Sequence, residues 1–113
     1  MNLNFSLETK DDKTILSLYE PKLDATTSSY LKAELLVVCK EDKIQTLILD
    51  LSDVQETDEH GLSALLFAAQ LSMEYDFDLR LASVSPTIIE TMQAMMLDQS
   101  FAFYDSLEEA MEE

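Results

Sequence analysis

The chain reads as an α/β fold, or its mixed-sheet α+β variant, with a sheet of about five strands flanked by about four helices. Three observations lead there. Short apolar runs alternate with stretches of helical period, giving the order β-β-α-β-α-β-α-β-α. Residues 46–51, TLILDL, form an apolar run rich in branched side chains, as a strand covered on both faces requires, which favours a parallel or mixed sheet. Ser85-Pro86 follows a strand-like run directly, an N-cap with proline at the first helical position, so a strand there passes straight into a helix. The βαβ crossovers are then expected to be right-handed, with the helices covering the sheet.

Each element has its own local signal. Leu3, Phe5 and Leu7 alternate with polar residues, and Ile15, Leu16, Leu18 and Tyr19 follow across Lys10-Asp11-Asp12-Lys13, which predicts an N-terminal β-hairpin. Pro21 closes the second strand. Leu23-Asp24-Ala25-Thr26 offers capping side chains to a first helix in which Leu31, Leu35 and Val38 recur at i, i+4 and i+7. The run 46–51 is the central strand, 52–57 a loop, and Asp58 precedes a second helix reaching about Tyr75, one face of which is marked by Leu62, Leu65, Leu66, Ala69 and Met73. Residues 78–84 alternate like a strand, and the third helix carries Ile89, Met92 and Met96. Residues 101–103 make a last short strand, after which Asp105 or Ser106 caps an acidic helix with Leu107, Ala110 and Met111 inward. The methionines are read mostly as core fillers, although Met92, Met95 and Met96 could also furnish an adaptable binding face.

Composition narrows the function. Seven lysines and arginines against 23 acids in 113 residues leave a net charge of −16, which repels phosphate backbones and anionic membranes and sets nucleic acid aside as a partner. The length suits one domain, 1–113, and 47% hydrophobic residues are enough for a core. Cys39 is the only cysteine, so no internal disulfide forms, and no Cys/His cluster offers a metal site; reducing cytoplasm is the expected compartment. The first residues show no basic and apolar leader, and no run approaches the ~18 residues of a membrane span. Gly61 is the sole glycine, which removes any glycine-rich phosphate loop, and no nucleophile elbow accompanies His60, so neither an enzyme nor a bound cofactor is expected. Asp105-Ser106-Leu107 fits a carrier-protein attachment site poorly, since only six residues follow it, and Asp50 lacks the acidic pair of a receiver domain. Acidic runs such as Glu108-Glu109 read as a solvated face able to steer a basic partner.

Residues 48–66, ILDLSDVQETDEHGLSALL, place a strand, a short acidic loop, a capping aspartate and a helix start in sequence. This segment resembles STAS domains, the family of bacterial anti-sigma factor antagonists, whose pattern is an apolar strand, D-L-S-x-V, a spacer and D-S-[ST]-G-L-x-x-L-L. Asp50, Leu51, Ser52 and Val54 match the first half; Asp58, Gly61, Leu62, Leu65 and Leu66 match the second. Leu23-Asp24-Ala25, the L-x-L-x-x-x-S-P segment at 79–86, and Leu97-Asp98 with Phe101, Tyr104 and 105–110 extend the match over nearly the whole chain. The resemblance implies a STAS-like (SpoIIaa-like) fold and a non-catalytic regulator of transcription. It implies, too, a partner-switching role in which the domain binds an anti-sigma factor serine kinase and is itself phosphorylated on one Ser or Thr at the start of the second helix.

The candidate partner-binding residues are accordingly Asp53, Thr57, Asp58, Glu59, His60 and Gly61. A helix N-terminus welcomes added phosphate because its unpaired N–H groups and partial positive charge face the incoming anion. Here the two positions between Asp58 and Gly61 hold Glu59 and His60, and the phosphoacceptor position falls on His60. Three readings stay open: solvated first-turn residues, a fixed negative charge from Glu59 that holds the domain permanently switched, and a phosphorylated or pH-sensing His60. Asp58 is a natural helix cap with partner contact as a second role, Thr57 a turn residue, Ser63 a packing or solvent-facing serine, and Gly61 a close-packing position. The resemblance also implies an alternative, a constitutive accessory subunit of a larger assembly such as an ABC transporter, which the missing hydroxyl favours; a third class is a phosphocarrier working through His60.

Overall fold

The computed structural model describes residues 3–41 and 43–112. The first two residues of the N-terminal segment read above for a leader lie outside them. Strands β1 (Phe5–Lys10) and β2 (Lys13–Leu18) form the expected hairpin, antiparallel with Lys10 opposite Lys13. Its two turn residues, Asp11 and Asp12, both adopt left-handed backbone, φ 52° and 69°, the requirement of the tight turn that matches strand twist. Aspartate is one of the few residues besides glycine that tolerates this conformation.

From β2 the chain enters a parallel sheet. β4 (Thr46–Asp50) pairs with β2, β6 (Asp78–Ala82) with β4, and β7 (Ala102–Tyr104) with β6, giving the order β1-β2-β4-β6-β7. Each parallel step is bridged by a helix: α1 (Ala25–Glu41), α2 (Glu59–Glu74) and α3 (Pro86–Ala94). Leu31 and Leu35 of α1, Leu62 and Leu65 of α2, and Ile88 and Met92 of α3 share one core with Leu16, Leu47, Leu49 and Leu81 of the sheet. The opposite sheet face buries Ile15, Ile48 and Ala82 under Ala110 of α4 (Leu107–Ala110). Leu47, Ile48 and Leu49 are fully buried, so the central strand is covered on both faces as its run of apolar residues requires. Arg80 fastens α4 from below: its Nη1 donates to the carbonyls of Ala110 and Glu112, and its guanidinium lies 5.5 Å from the Tyr104 ring centre.

Several expectations need correction. Part of the 52–57 loop is strand: β5 (Glu56–Thr57) pairs in parallel with β3 (Lys22–Leu23) in a separate ladder, Leu23 opposite Thr57. The buried stripe of α2 is Gly61, Leu62, Ala64, Leu65, Ala68 and Leu71; Leu66 and Ala69 are half-buried and Met73 is 83% exposed. The sequence is apolar on two adjacent stripes of this helix, and periodicity alone does not choose between them. Nor are the methionines mostly core. Met92 is buried, whereas Met73, Met95 and Met96 are exposed. α3 stops at Ala94 because Met96 turns left-handed, φ 59°, while Leu97 N–H bonds the Met92 carbonyl and Met96 N–H that of Gln93, a helix-terminating arrangement usually built on glycine. A 3-10 turn, Asp98–Ser100, then leads into β7, one residue later than expected. Of the two alternatives for the last cap, Ser106 Oγ accepts from Glu109 N–H, and Glu109 Oε2 in turn accepts from Asp105 N–H.

Candidate functional site at the start of the second helix

Asp50, at the end of β4, turns the chain away from the sheet: its carboxylate accepts from Ser52 N–H at 3.2 Å and from the Ser17 hydroxyl at 3.4 Å. Leu51 and Val54 are buried and anchor the loop, leaving Asp53 exposed between them. The amides of Gln55 and Glu56 then both donate to the Pro21 carbonyl, and the β3–β5 ladder carries the chain down to Asp58. Lys22 and Glu56 face each other across that ladder at 3.7 Å, both well exposed, a pair of small energetic weight.

Asp58 has extended backbone, φ −125° and ψ −168°, and its Oδ1 accepts from the amides of His60 at 2.9 Å and Gly61 at 3.2 Å. It is the helix cap its position requires. Asp24 performs the same task for α1, accepting from Thr27 N–H at 3.1 Å. That hydrogen bond holds the Asp24 carboxyl below its ordinary range, against a smaller opposing effect of desolvation. The two caps and the ladder enclose a shallow cleft of about 300 Å³ lined by Lys22, Leu23, Asp24, Glu56, Thr57 and Asp58. With three carboxylates and one lysine already paired to Glu56, it is no anion cradle. Among the described residues no group of three His, Cys, Asp or Glu is placed to hold a metal ion.

Gly61 lies under the ladder. A Cβ built there would overlap Thr57 Oγ1 and the Leu23 carbonyl oxygen and stand 2.9 Å from Leu23 Cγ. The Thr57 hydroxyl donates to the Leu23 carbonyl at 3.0 Å, so it is a tether between β5 and β3 and not the plain turn residue expected. Glu59 and His60 are exposed on the first turn. His60 Nδ1 stands 3.5 Å from Asp58 Oδ1, an ion pair whenever the imidazole is protonated, with both side chains about half exposed. Ser63, exposed, accepts from Lys32 Nζ of α1 at 3.1 Å.

Thr57, Asp58, His60 and Gly61 thus form one connected turn, Glu59 projects beside it, and Asp53 stands apart on the loop. Sequence reasoning missed Leu23 as the backbone partner of Thr57 and Lys32 as the partner of Ser63. In the sequence Leu23 stands beside a helix cap and within the family match, and a two-residue strand leaves no periodicity to read.

The family model of the STAS domain matches residues 4–110. The chain belongs to the STAS domain family. Its fold is shared with an anti-sigma factor antagonist from Mycobacterium paratuberculosis, at 22% identity and a TM-score of 0.80 over 96% of this chain and 91% of that one. RsbS from Moorella thermoacetica, in a serine-to-glutamate form, matches at 23% identity and a TM-score of 0.79 over 93% of this chain and 89% of that one. The murine anion transporter Slc26a9 also matches, at 20% identity and a TM-score of 0.72, over 96% of this chain and 21% of the transporter. At these identities the likeness is one of fold. The STAS domain described here has, among its described residues, no helix long and apolar enough to cross a membrane.

Proposed function

We propose that this STAS domain is a non-catalytic, cytoplasmic protein-binding module that docks an anti-sigma factor serine kinase through Asp53, Thr57, Asp58, Glu59, His60 and Gly61. The observation that carries this reading is the first turn of α2: exposed, fixed by the Asp58 cap, and acidic where relatives of the expected pattern carry a hydroxyl. Glu59 supplies a standing negative charge beside the helix N-terminus, so the domain holds one binding state instead of cycling between two. Acidic neighbours speed encounter with a basic partner, and the ladder beneath, anchored in the core through Leu23, keeps the surface preorganised. Titration of Glu59→Lys and His60→Ala against the partner kinase is expected to weaken binding about tenfold, roughly 1.4 kcal/mol, with unchanged melting. Unchanged affinity in both variants would remove the first turn from the interface.

A second reading has its own support. A permanent subunit of a larger assembly, such as an ABC transporter, needs no acceptor hydroxyl, and residues 58–61 carry none. A third, phosphate transfer through His60, draws on the Asp58 carboxylate 3.5 Å from its ring. Incubation with ATP and the kinase followed by intact-mass analysis separates them: no adduct supports a constitutive binder, and an acid-labile one supports His60.

A further inference from the structure

The sheet face turned away from α1, α2 and α3 has a thin cover. It buries Ile15, Ile48 and Ala82 under α4, a helix of four residues in which Ala110 is buried and Leu107 and Met111 are half-buried. A single helical turn does not hold itself in water, because nucleation is unfavourable and so few hydrogen bonds follow it. The position of α4 therefore depends on what grips it.

The grip is one-sided. From β6, Arg80 Nη1 donates to the carbonyls of Ala110 at 2.7 Å and Glu112 at 2.6 Å, groups that the end of a helix leaves without intrahelical partners. The Arg80 side chain is 13% exposed and its Nε donates to Asp78 Oδ2 at 2.8 Å, so its own strand orients the guanidinium. Towards the hairpin α4 stops short. A gap of about 390 Å³ lies there, and its charged lining is Glu8, Asp11 and Glu108 against Lys10 alone, so charge does not draw its walls together. Before α4 the chain is pinned as far as Tyr104, whose carbonyl accepts from Ser83 N–H at 2.9 Å, whereas the next contact, from Ser83 Oγ to the Asp105 carbonyl, is 3.4 Å long. The Ser106 cap and the bond from Asp105 N–H to Glu109 Oε2 lie within the segment itself, so they travel with it.

We infer that residues 105–112 are a hinged strap, pivoting after Tyr104 and latched by Arg80, which opens while the five-stranded sheet stays folded and so uncovers an apolar face at Ile15, Ile48 and Ala82. The concealed face lies across the sheet from α2, and the device does not rest on the docking role of the Asp58 turn.

Amide exchange followed by NMR tests it. In the parent, the Ala110 and Met111 amides, bonded to the Ser106 and Leu107 carbonyls, are expected to exchange about a hundredfold faster than those of Leu47 and Leu49, each against its intrinsic rate, and to ignore low urea as a local opening does. Arg80→Ala should speed them about tenfold and keep the gap to β4, since a weaker latch raises the closed state against local and global opening alike. Ala110→Asp puts a charge on the buried seat and should hold the strap open, shifting the Ile15 and Ile48 methyl signals while β4 stays protected. Strap amides that exchange with β4 in a urea-sensitive step, or that ignore Arg80→Ala, would overturn the proposal. So would an unmoved Ile48 methyl signal, which means fraying in place, or loss of β4 protection in Ala110→Asp.

Discussion

Gly61→Ala separates two opposite expectations. In an ordinary helix interior the change stabilises by about 0.8–1.0 kcal/mol, because glycine gives up more backbone freedom on folding. At this position the added methyl overlaps Thr57 Oγ1 and the Leu23 carbonyl oxygen, and Leu23 Cγ at 2.9 Å closes the third side. The Leu23 oxygen belongs to backbone held in the β3–β5 ladder, and its side chain is 1% exposed in the core, so neither swings away. Accommodation must come from Thr57, which loses its bond to Leu23, worth about 1 kcal/mol, and from displacement of the ladder, where overpacking typically costs about 1–3 kcal/mol. Set against the helix-propensity gain, the net loss is about 1–3 kcal/mol, which lowers the melting temperature by about 4 °C for each kcal/mol in a domain of this size. Urea unfolding followed by circular dichroism should show a lower midpoint at unchanged slope. Thr57→Ala removes one of the overlapping atoms, so the cost of Gly61→Ala should shrink in that background. Melting at or above the parent, or strict additivity of the two changes, would refute the close approach as the reason for this glycine.

The left-handed positions offer gains: Asp12→Gly in the hairpin turn and Met96→Gly at the end of α3 should each stabilise by about 1 kcal/mol, read as a raised urea midpoint. The hydrogen bond that lowers the Asp24 carboxyl contributes stability that is present above its unfolded value, about pH 4, and is lost as pH falls through the lower folded value. Asp24→Ala should therefore differ from the parent above pH 4 and converge with it in stronger acid. Cys39 is 5% exposed and burial pushes its thiol up from 9.0, so a thiol reagent at pH 8 should leave it untouched until urea unfolds the chain.

What was legible in the sequence is what local chemistry writes there. The caps at Asp58 and Ser85 and the hairpin turn depend on residues within a few positions of one another and were readable, and the last cap was narrowed to Asp105 or Ser106, of which the structure takes Ser106. The order of strands and helices followed from runs whose periods differ. Three features were not legible for physical reasons. The β3–β5 ladder joins Leu23 to Thr57 across 34 positions, in segments too short for alternation. The phase of α2 depends on which flank meets the sheet, and Leu66, Ala69 and Met73 look as apolar in sequence as the stripe that is buried. Exposed methionines carry no mark that distinguishes them from core fillers. At the site, Asp58 and Gly61 were readable in kind, cap and close approach, whereas the atoms that crowd Gly61 came only from the long-range contact.

Neither Thr57 nor Ser63 can stand in for a hydroxyl on the first turn. The Thr57 hydroxyl is the donor that ties β5 to β3 over Gly61, and esterifying it would remove that donor and set a dianion against the Leu23 carbonyl. Ser63 lies further along the helix, held by Lys32. The amides of His60 and Gly61 are meanwhile occupied by the Asp58 carboxylate, and Glu59 adds charge beside them, so the positive end of the helix is already answered. If the partner is a serine kinase that recognises this turn, the one thing the site lacks is an oxygen nucleophile at position 60. His60→Ser supplies it without touching the Asp58 cap, whose contact at that residue is with the backbone amide. Incubated with ATP and the kinase, His60→Ser should gain one acid-stable phosphate while the parent gains none. A His60→Ser protein that binds the kinase as the parent does yet stays unmodified would mean that the turn is docked away from the catalytic cleft, which is the behaviour of a permanent subunit.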